Sequence, residues 1–346
     1  MSTQPEVIPF ELLVDALSNE EVDLYRRYLY RLSDLDDKEL ALLEEAWGTI
    51  PVMRRQTVLA DLLKLGEDNL LLSYEAIGRF AITDEDPHVR TLAVQILRGF
   101  ESVDLIPKFI NLLEKDPNEG VRSASASALG RFVYLGELDE ISQTTLQRIE
   151  DCLLNVIHHG ESDLVKCRSL EAIGYSSRPE VPPLIESALA SGDKEWIKAA
   201  LFAIGRSIDK RWKDDVLHFL NNRNPALRAE AARAAGELEI SAALPQLIEL
   251  SEDSNDNVRN AAIWSLSQIS GEGVREVLEE LWELAEEEAD IDLLEAAIDN
   301  LEFNQNAELF TLFEFPENGL GDFDLDMLDD VDEFQDIGDN EEDNLD

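Results

Sequence analysis

Apolar and polar positions follow one another along the chain in a pattern that repeats about every 31 residues. An apolar anchor opens each repeat, and apolar or small residues follow four, five and eight positions later, the spacing of one helix face. The anchors are Val89, Val121, Val165, Trp196, Leu227 and Val258, and the last three steps between them are each 31 residues long. The pattern predicts an amphipathic helix at every anchor.

Residues that cap helices stand three positions before the anchors. Their side-chain oxygens accept hydrogen bonds from the free amide groups of a first helical turn. Pro87 and Pro225 follow two of them, in a position where the missing amide of proline costs nothing. The predicted caps are Asp86, Asn118, Ser162, Asp193, Asn224 and Asn255. Six helix starts are therefore predicted.

A second apolar segment precedes each of these helices, so each repeat is predicted to be a helical hairpin. A lone hairpin cannot bury its apolar face, and successive hairpins are expected to stack. Nine positions after four of the anchors stands a glycine, where a neighbouring backbone is expected to approach closely. These glycines are Gly130, Gly174, Gly205 and Gly236. The longer step after Val121 predicts an insertion around residues 136–148, in the next first helix or the loop before it.

The sequence pattern of the repeat, as in Val121-Arg122 followed by Ala128-Leu129-Gly130, resembles the HEAT repeat. It is most similar to the HEAT-like repeats named from phycobilin lyase subunits. The resemblance covers residues 68–303 and implies an all-α fold, a right-handed α-solenoid. It divides the chain into an N-terminal helical cap (1–67), the solenoid (68–303) and an acidic tail (304–346).

The N-terminal segment has helical periodicity but does not fit the repeat. Residues 18–21 have the form of a capping box that would start a helix carrying Tyr25, and Asp36 or Asp37 is expected to start the next helix. Both Tyr25 and Trp47 are expected in the core of a cap that covers the first hairpin.

Charge narrows the range of functions. The 346 residues include 75 Asp and Glu against 29 Lys and Arg, a formal charge of −46. Such a chain is expected to lack the positive surface that binds nucleic acid and to be repelled by anionic membranes, and it has no apolar run long enough to span a membrane. The N-terminus has no secretory signal pattern, so a cytoplasmic location is expected. Cys152 and Cys167 lack zinc-site spacing and are expected to be free thiols.

The acidic charge is concentrated at the C-terminus. Residues 314–346 contain 15 acidic residues and no basic one, a composition that predicts disorder. Regularly spaced apolar residues in this tail give two alternatives: a solvating tail, or a segment that folds onto a partner or back onto the solenoid. The predicted tail anchors are Phe323, Leu325, Leu328 and Phe334.

No catalytic constellation is found in the sequence. None of the four histidines occurs in a His-Glu pair, which counts against deoxyhypusine hydroxylase, a HEAT-type enzyme whose His-Glu motifs hold two irons. Four acidic tail residues match the spacing of a calcium loop, but Met327 replaces its turn glycine, so only weak divalent-ion binding is expected. The sequence predicts no cofactor, no metal site and no enzyme; a metal-dependent enzyme is the weakest alternative.

Binding is expected on the concave face, lined by the second helix of each hairpin. Side chains two and six positions after the anchors are expected to project from it. Phe202 and Trp264 occupy such positions, and aromatic groups beside guanidinium groups are typical interface anchors. The alternative is that both rings pack against adjacent helices. The predicted contact residues are Lys198, Phe202, Arg233, Trp264 and Arg259.

A column of arginines directly after the anchors has a different expected role. The column, which includes Arg90, Arg122, Arg228 and Arg259, is expected to form hydrogen bonds and ion pairs between repeats. Together these features favour a non-enzymatic scaffold or adaptor that binds a protein or peptide. Its acidity favours a basic partner, and the tail is expected to modulate binding. The alternative is a chaperone-like lyase or maturation subunit for a cofactor-bearing protein, such as a bilin carrier; the oligomeric state is left open.

Overall fold

The structure, a computed structural model, describes residues 8–19, 24–160, 162–269, 271 and 273–312, with side chains through 304. Every regular element in these ranges is helical. The helices are α1 (Phe10–Ser18), α2 (Arg26–Tyr30), α3 (Asp37–Trp47), α4 (Val52–Asp68), α5 (Glu75–Ala81), α6 (Pro87–Leu97), α7 (Ile106–Lys115), α8 (Glu119–Glu137), α9 (Gln143–His159), α10 (Asp163–Ile173), α11 (Val181–Leu189), α12 (Lys194–Arg206), α13 (Lys213–Leu220), α14 (Pro225–Glu237), α15 (Leu244–Leu250), α16 (Asp256–Ile269), α17 (Val274–Leu284) and α18 (Glu288–Leu312). Short 3-10 turns at Val103–Leu105, Lys210–Trp212 and Ser241–Ala243 precede α7, α13 and α15. The chain divides into two units, Met1–Leu301 and Glu302–Asp346.

Six helical hairpins, from α5–α6 to α15–α16, form most of the first unit. The second helices α6, α8, α10, α12, α14 and α16 pack against one another in series, and α4 packs against α6 in the same manner. The predicted all-α solenoid is confirmed. Its core is a continuous band of apolar side chains contributed by every hairpin.

The predicted helix starts are confirmed wherever the cap geometry is described. The side chains of five caps accept hydrogen bonds from amide groups of the first turn: Asp86, Asn118, Ser162, Asp193 and Asn224. The helix α16 begins directly after the sixth, Asn255. Because a cap needs only neighbouring residues, the sequence alone predicts it.

The glycine column lies where consecutive second helices touch. A Cβ atom added to Gly174 would stand 2.7 Å from the Cα of Ala203, and one added to Gly236 would stand 2.9 Å from the Cα of Ser265. The prediction of close backbone approach is therefore confirmed. Any larger side chain at Gly174 or Gly236 would push two repeats apart.

The arginine column joins successive repeats at Arg90 and Arg228, as predicted, whereas Arg122 and Arg259 bond within their own hairpins. Arg90 donates two hydrogen bonds to the carboxylate of Asp116 over 2.8 and 2.9 Å, and Arg228 makes the same pair of bonds to Asp253 over 2.9 and 3.0 Å. Arg122 donates to the carbonyl oxygen of Asp116 over 2.8 Å. The bonds of Arg90 and Arg228 tie the start of one second helix to the loop of the next hairpin, and the bond of Arg122 holds the loop that precedes its own helix.

The same kind of pair joins the N-terminal helices to the first hairpin. Arg55 in α4 forms an ion pair with the buried carboxylate of Asp84, and the Nε1 of Trp47 donates to that carboxylate over 2.6 Å. Trp47 is buried, as predicted. The capping role of residues 1–67 stays a prediction.

Two expectations for the N-terminal segment are wrong. Ser18 does not start a helix, because it is the last residue of α1 and its hydroxyl donates to the carbonyl oxygen of Val14. Tyr25 is exposed and not in the core: it precedes α2, and the guanidinium of Arg27 lies 5.7 Å from its ring centroid. Asp36 does start α3, with a capping box closed by Glu39.

The long step between the second and third anchors is taken up by two long helices. The first helix α9 has 17 residues, in agreement with the expected insertion. The preceding second helix α8 is also lengthened, to 19 residues, which the sequence pattern did not predict. A Cβ on Gly136, near the end of α8, would meet the side chain of Leu146 in α9, so these extensions pack against each other.

Candidate peptide-binding groove

A groove of about 570 Å³ runs across the second helices α6, α8, α10 and α12. The side chains six positions after four successive anchors line it: Gln95, Ser127, Glu171 and Phe202. This position therefore faces a groove in these four repeats, and its role in binding stays a prediction. The position two after the anchor contributes less, because Thr91 and Ser123 line the groove but Cys167 and Lys198 do not.

Four arginines give the groove its charge. Arg98, Arg131, Arg168 and Arg206 line it, one from each of the four repeats, and Glu171 is the single acidic residue in the lining. The groove is therefore positive, although the chain as a whole carries a formal charge of −46. Net charge does not describe this surface, since most carboxylates lie elsewhere.

Two of the arginines are paired with carboxylates. The Nε of Arg131 donates to Glu101 over 2.8 Å at the rim, where both side chains are exposed, and its guanidinium lies 5.4 Å from the ring centroid of Tyr134. Arg168 forms an ion pair with Glu171, one turn later in the same helix. An exposed pair such as the first contributes little stability, so Arg131 can exchange Glu101 for another anion at small cost.

Arg206 is held between two aromatic rings. Its guanidinium lies 4.2 Å from the ring centroid of Phe202 and 4.9 Å from that of Tyr175, and it donates a 3.0 Å hydrogen bond to the carbonyl oxygen of Glu171. The ring of Tyr175 lies 5.0 Å from that of Tyr134. Burial lowers the pKa of Arg206, and the nearby charge of Arg98 lowers it further. The stack fixes the rings and the guanidinium before any ligand arrives.

Arg98 differs from the other three arginines. It follows the last residue of α6, its side chain is exposed, and its guanidinium makes no hydrogen bond or ion pair to any residue in the described ranges. Sequence reasoning missed Arg98, Arg131 and Arg206 because it expected binding side chains only two and six positions after each anchor. The available signal was their common place, nine or ten positions after the anchors.

The structure places the predicted contact residues in different surroundings. Phe202 is half-buried and lines the groove. Trp264 is half-buried outside the lining, and its ring packs over Gly236, where a Cβ would lie 2.8 Å from the ring. For Trp264 the structure thus favours the alternative of packing against the adjacent helix. Arg259 donates to the carbonyl oxygen of Asp253 over 3.0 Å, as a member of the arginine column.

The remaining two predicted contacts surround a buried carboxylate. Burial raises the pKa of Glu230, while the charges of Arg233 and Lys198 oppose this shift. The exposed Arg233 lies 3.4 Å from the carboxylate. Neither Arg233 nor Lys198 lines the groove, and their role in partner binding stays a prediction. The tail anchors Phe323, Leu325, Leu328 and Phe334 and the calcium-like spacing lie outside the described residues.

Reactive groups are few in the part of the chain that the structure describes. No cluster of three metal-ligating side chains is found there. Cys152 and Cys167 are buried and not joined to each other, and burial raises the pKa of each thiol to about 12. No described helix is long and apolar enough to cross a membrane.

Comparison with known proteins finds HEAT repeats in two parts of the chain. The family model for HEAT repeats matches residues 75–154 and 214–302. Among solved structures, the chain is similar to the E. coli protein YibA, with 15% identity, a TM-score of 0.40, and coverage of 82% of this chain and 99% of that one. Human deoxyhypusine hydroxylase in complex with glycerol matches with 17% identity, a TM-score of 0.36, and coverage of 85% and 96%. Yeast importin-beta (Kap95p) matches with 13% identity, a TM-score of 0.44, and coverage of 87% and 46%. No match was found among curated proteins.

Proposed function

We propose that this HEAT-repeat chain is a non-enzymatic scaffold or adaptor that binds a protein or peptide along its second helices. The observation that carries the proposal is the groove across α6, α8, α10 and α12, which four successive repeats line with one arginine each. An extended ligand would contact each repeat in turn, which is how repeat proteins build long binding surfaces.

The aromatic and arginine stack at the end of the groove supplies the expected centre of binding energy. Phe202 and Tyr175 hold Arg206 between them, so all three groups are ordered before binding. Ordered aromatic and arginine side chains lose little conformational entropy in a complex, and they dominate the energetics of many interfaces.

Positive and negative charges are expected to act on different surfaces of the chain. The formal charge of −46 attracts basic partners over long distances, so a basic partner is expected on the acidic surface outside the groove. The groove itself carries four guanidinium groups and one carboxylate. Binding there is expected to be set by short-range contacts and not by the net charge.

Affinity capture from native lysate tests the scaffold. The bait is the full-length chain, and the decisive variant is Phe202→Ala, which removes one face of the Arg206 stack. Trp264→Ala is the matched control, because it removes a half-buried aromatic ring outside the groove lining. Circular dichroism and thermal unfolding check that both variants are folded. Partners lost with Phe202→Ala and retained with Trp264→Ala are expected; equal retention in both variants would refute a binding site at this groove.

A tail that modulates binding is a separate part of the proposal. The chain ending at residue 313 keeps every residue the structure describes and lacks 15 acidic residues. Its affinity for captured partners is expected to differ from that of the full-length chain. If titration calorimetry gave the same affinity for both chains with every partner, the tail would have no modulating role.

The alternative of a lyase or maturation subunit is favoured by one observation, the V-R…A-L-G sequence pattern of the repeat. A subunit of this class is expected to bind a tetrapyrrole or to retain a tetrapyrrole-bearing protein. Absorbance spectra of the native protein, and of the purified chain mixed with a bilin, test it. A colourless protein with no spectral change on mixing would remove this alternative.

A further inference from the structure

An apolar cavity of about 320 Å³ adjoins the arginine groove. Its walls come from α4, α6 and the segment between α4 and α5, and they include Leu62, Leu72 and Phe100. Glu67 and Arg98 are the charged side chains in its lining. The cavity shares Gln95 and Arg98 with the groove, so the two form one surface.

Leu70 makes this cavity unusual. Its side chain is 93% exposed, yet it lines the cavity, and its neighbour Leu71 is 89% exposed without lining it. Neither leucine packs in the core, so burial on folding does not account for an apolar side chain at either position. Exposed apolar groups at the rim of an apolar cavity are typical of ligand-binding surfaces.

Arg98 stands between the cavity and the groove. Among the described residues its guanidinium has no hydrogen-bond or ion-pair partner, and the three other groove arginines follow it along the repeats. Guanidinium groups bind carboxylates through two parallel hydrogen bonds, a geometry that already joins Arg90 to Asp116 in this chain. An arginine in each of four repeats suits carboxylates that are spaced along an extended segment.

We propose that the groove and the adjoining cavity together bind an acidic peptide segment that carries a bulky apolar side chain. The apolar side chain enters the cavity beside Leu70, and the carboxylates that follow it pair with Arg98 and the arginines beyond it. This inference rests on the proposed function, because it names the class of partner for the same groove. A nucleic acid is disfavoured, because a polyanion longer than the groove is repelled by a chain whose formal charge is −46.

A synthetic peptide with the sequence of residues 320–338 of this chain is a suitable probe. It contains eight acidic residues together with Phe323, Leu325, Leu328 and Phe334. The control peptide replaces every Asp by Asn and every Glu by Gln. Fluorescence anisotropy of the labelled peptides, titrated with the full-length chain and with the chain ending at residue 313, measures binding with and without the chain's own acidic segment.

The acidic peptide is expected to bind, and the control peptide to bind at least tenfold more weakly. Arg98→Glu is expected to weaken binding tenfold or more, whereas Arg223→Glu is expected to change it less than twofold. Arg223 is exposed in the loop between α13 and α14 and lines neither the groove nor the cavity. Its substitution therefore makes the same change of charge outside the proposed site. Leu70→Ser is expected to weaken binding severalfold, and Leu71→Ser is its control.

Three results would overturn the inference. The first is that the acidic peptide binds to neither chain at millimolar concentration. The second is that the acidic and control peptides bind equally well. The third is that Arg98→Glu and Arg223→Glu change binding equally. Since Arg98 is exposed and unpaired within the described residues, its variants are expected to fold normally. If a lysate partner depended on Phe202 while the acidic peptide failed to bind, the scaffold would stand and only the partner class would be wrong.

Discussion

The position of an arginine relative to the anchor decides its role in this protein. Arg90 and Arg228 directly follow an anchor and bind an aspartate of the next hairpin. Arg98 and Arg206 follow the anchor by nine or ten residues and face the groove. The first kind forms structural bonds between repeats, while the second kind lines the groove, where Arg206 is stacked on two rings and Arg98 makes no hydrogen bond to a described residue.

This difference predicts unequal effects on stability. Arg228→Ala leaves the half-buried carboxylate of Asp253 without its partner, and is expected to lower the free energy of unfolding by about 2–4 kcal/mol. Arg98→Ala removes an exposed side chain with no described partner and is expected to change it by less than about 0.5 kcal/mol. Urea unfolding followed by circular dichroism measures both free energies. Equal losses of stability in the two variants would show that the arginine column has no special role.

The two thiols give a second prediction at this scale. Burial raises the pKa of Cys152 and Cys167 to about 12, so almost no thiolate is present at pH 8. The native chain is expected to react slowly with a thiol-specific disulfide reagent. Both thiols are expected to react within minutes in guanidinium chloride. Rapid reaction of the native chain at pH 8 would mean that these cysteines are accessible.

At the scale of the elements, glycine contacts set how closely the second helices pack. The approach is closest at Gly174, whose added Cβ would lie 2.7 Å from the Cα and 2.8 Å from the carbonyl oxygen of Ala203. At Gly205 the nearest atom, the Cα of Ala234, is 3.3 Å away. A backbone atom cannot turn aside as a flexible side chain does.

Alanine substitution at these two positions therefore has different expected effects. Gly174→Ala is expected to lower the free energy of unfolding by about 1–3 kcal/mol, because α10 and α12 must separate. Gly205→Ala is expected to be near neutral, since the higher helix propensity of alanine offsets the mild crowding. Thermal unfolding of both variants checks the prediction, and a Gly174→Ala variant as stable as the parent would contradict the contact.

At the scale of the whole molecule, the large excess of acidic residues opposes the compact state. Formal charge is −46 at pH 7 and approaches zero near the isoelectric point of about 4.2. Mutual repulsion among so many carboxylates lowers stability wherever they are ionised. Salt weakens this repulsion, because the screening length falls from about 10 Å at 0.1 M to about 3 Å at 1 M.

Raising sodium chloride from 0.05 to 0.5 M at pH 7.5 is accordingly expected to raise the melting temperature. At pH 5.0 fewer carboxylates are charged, and the same addition is expected to have a smaller effect. Scanning calorimetry at the two pH values measures the difference. A melting temperature that fell with salt at pH 7.5 would mean that the ion pairs outweigh the net repulsion.

The sequence by itself determined the repeat, the helix starts and the inter-repeat bonds of Arg90 and Arg228. Each of these depends on residues that are close in sequence or one repeat apart, because a hairpin in a solenoid contacts only its neighbours. The same local reasoning failed at Ser18, since serine both caps a helix start and bonds back to a carbonyl within a helix, and only the surrounding chain decides which occurs.

Only the tertiary structure decided which of the predicted contact residues face a groove. Trp264 and Phe202 hold the same place in their repeats, yet one ring covers Gly236 and the other faces the groove, since exposure depends on what the next helix brings. The positive groove of an acidic chain likewise could not be predicted from composition. Its arginines come from four repeats, and it is the packing of those repeats that brings them together and carries most carboxylates to other surfaces.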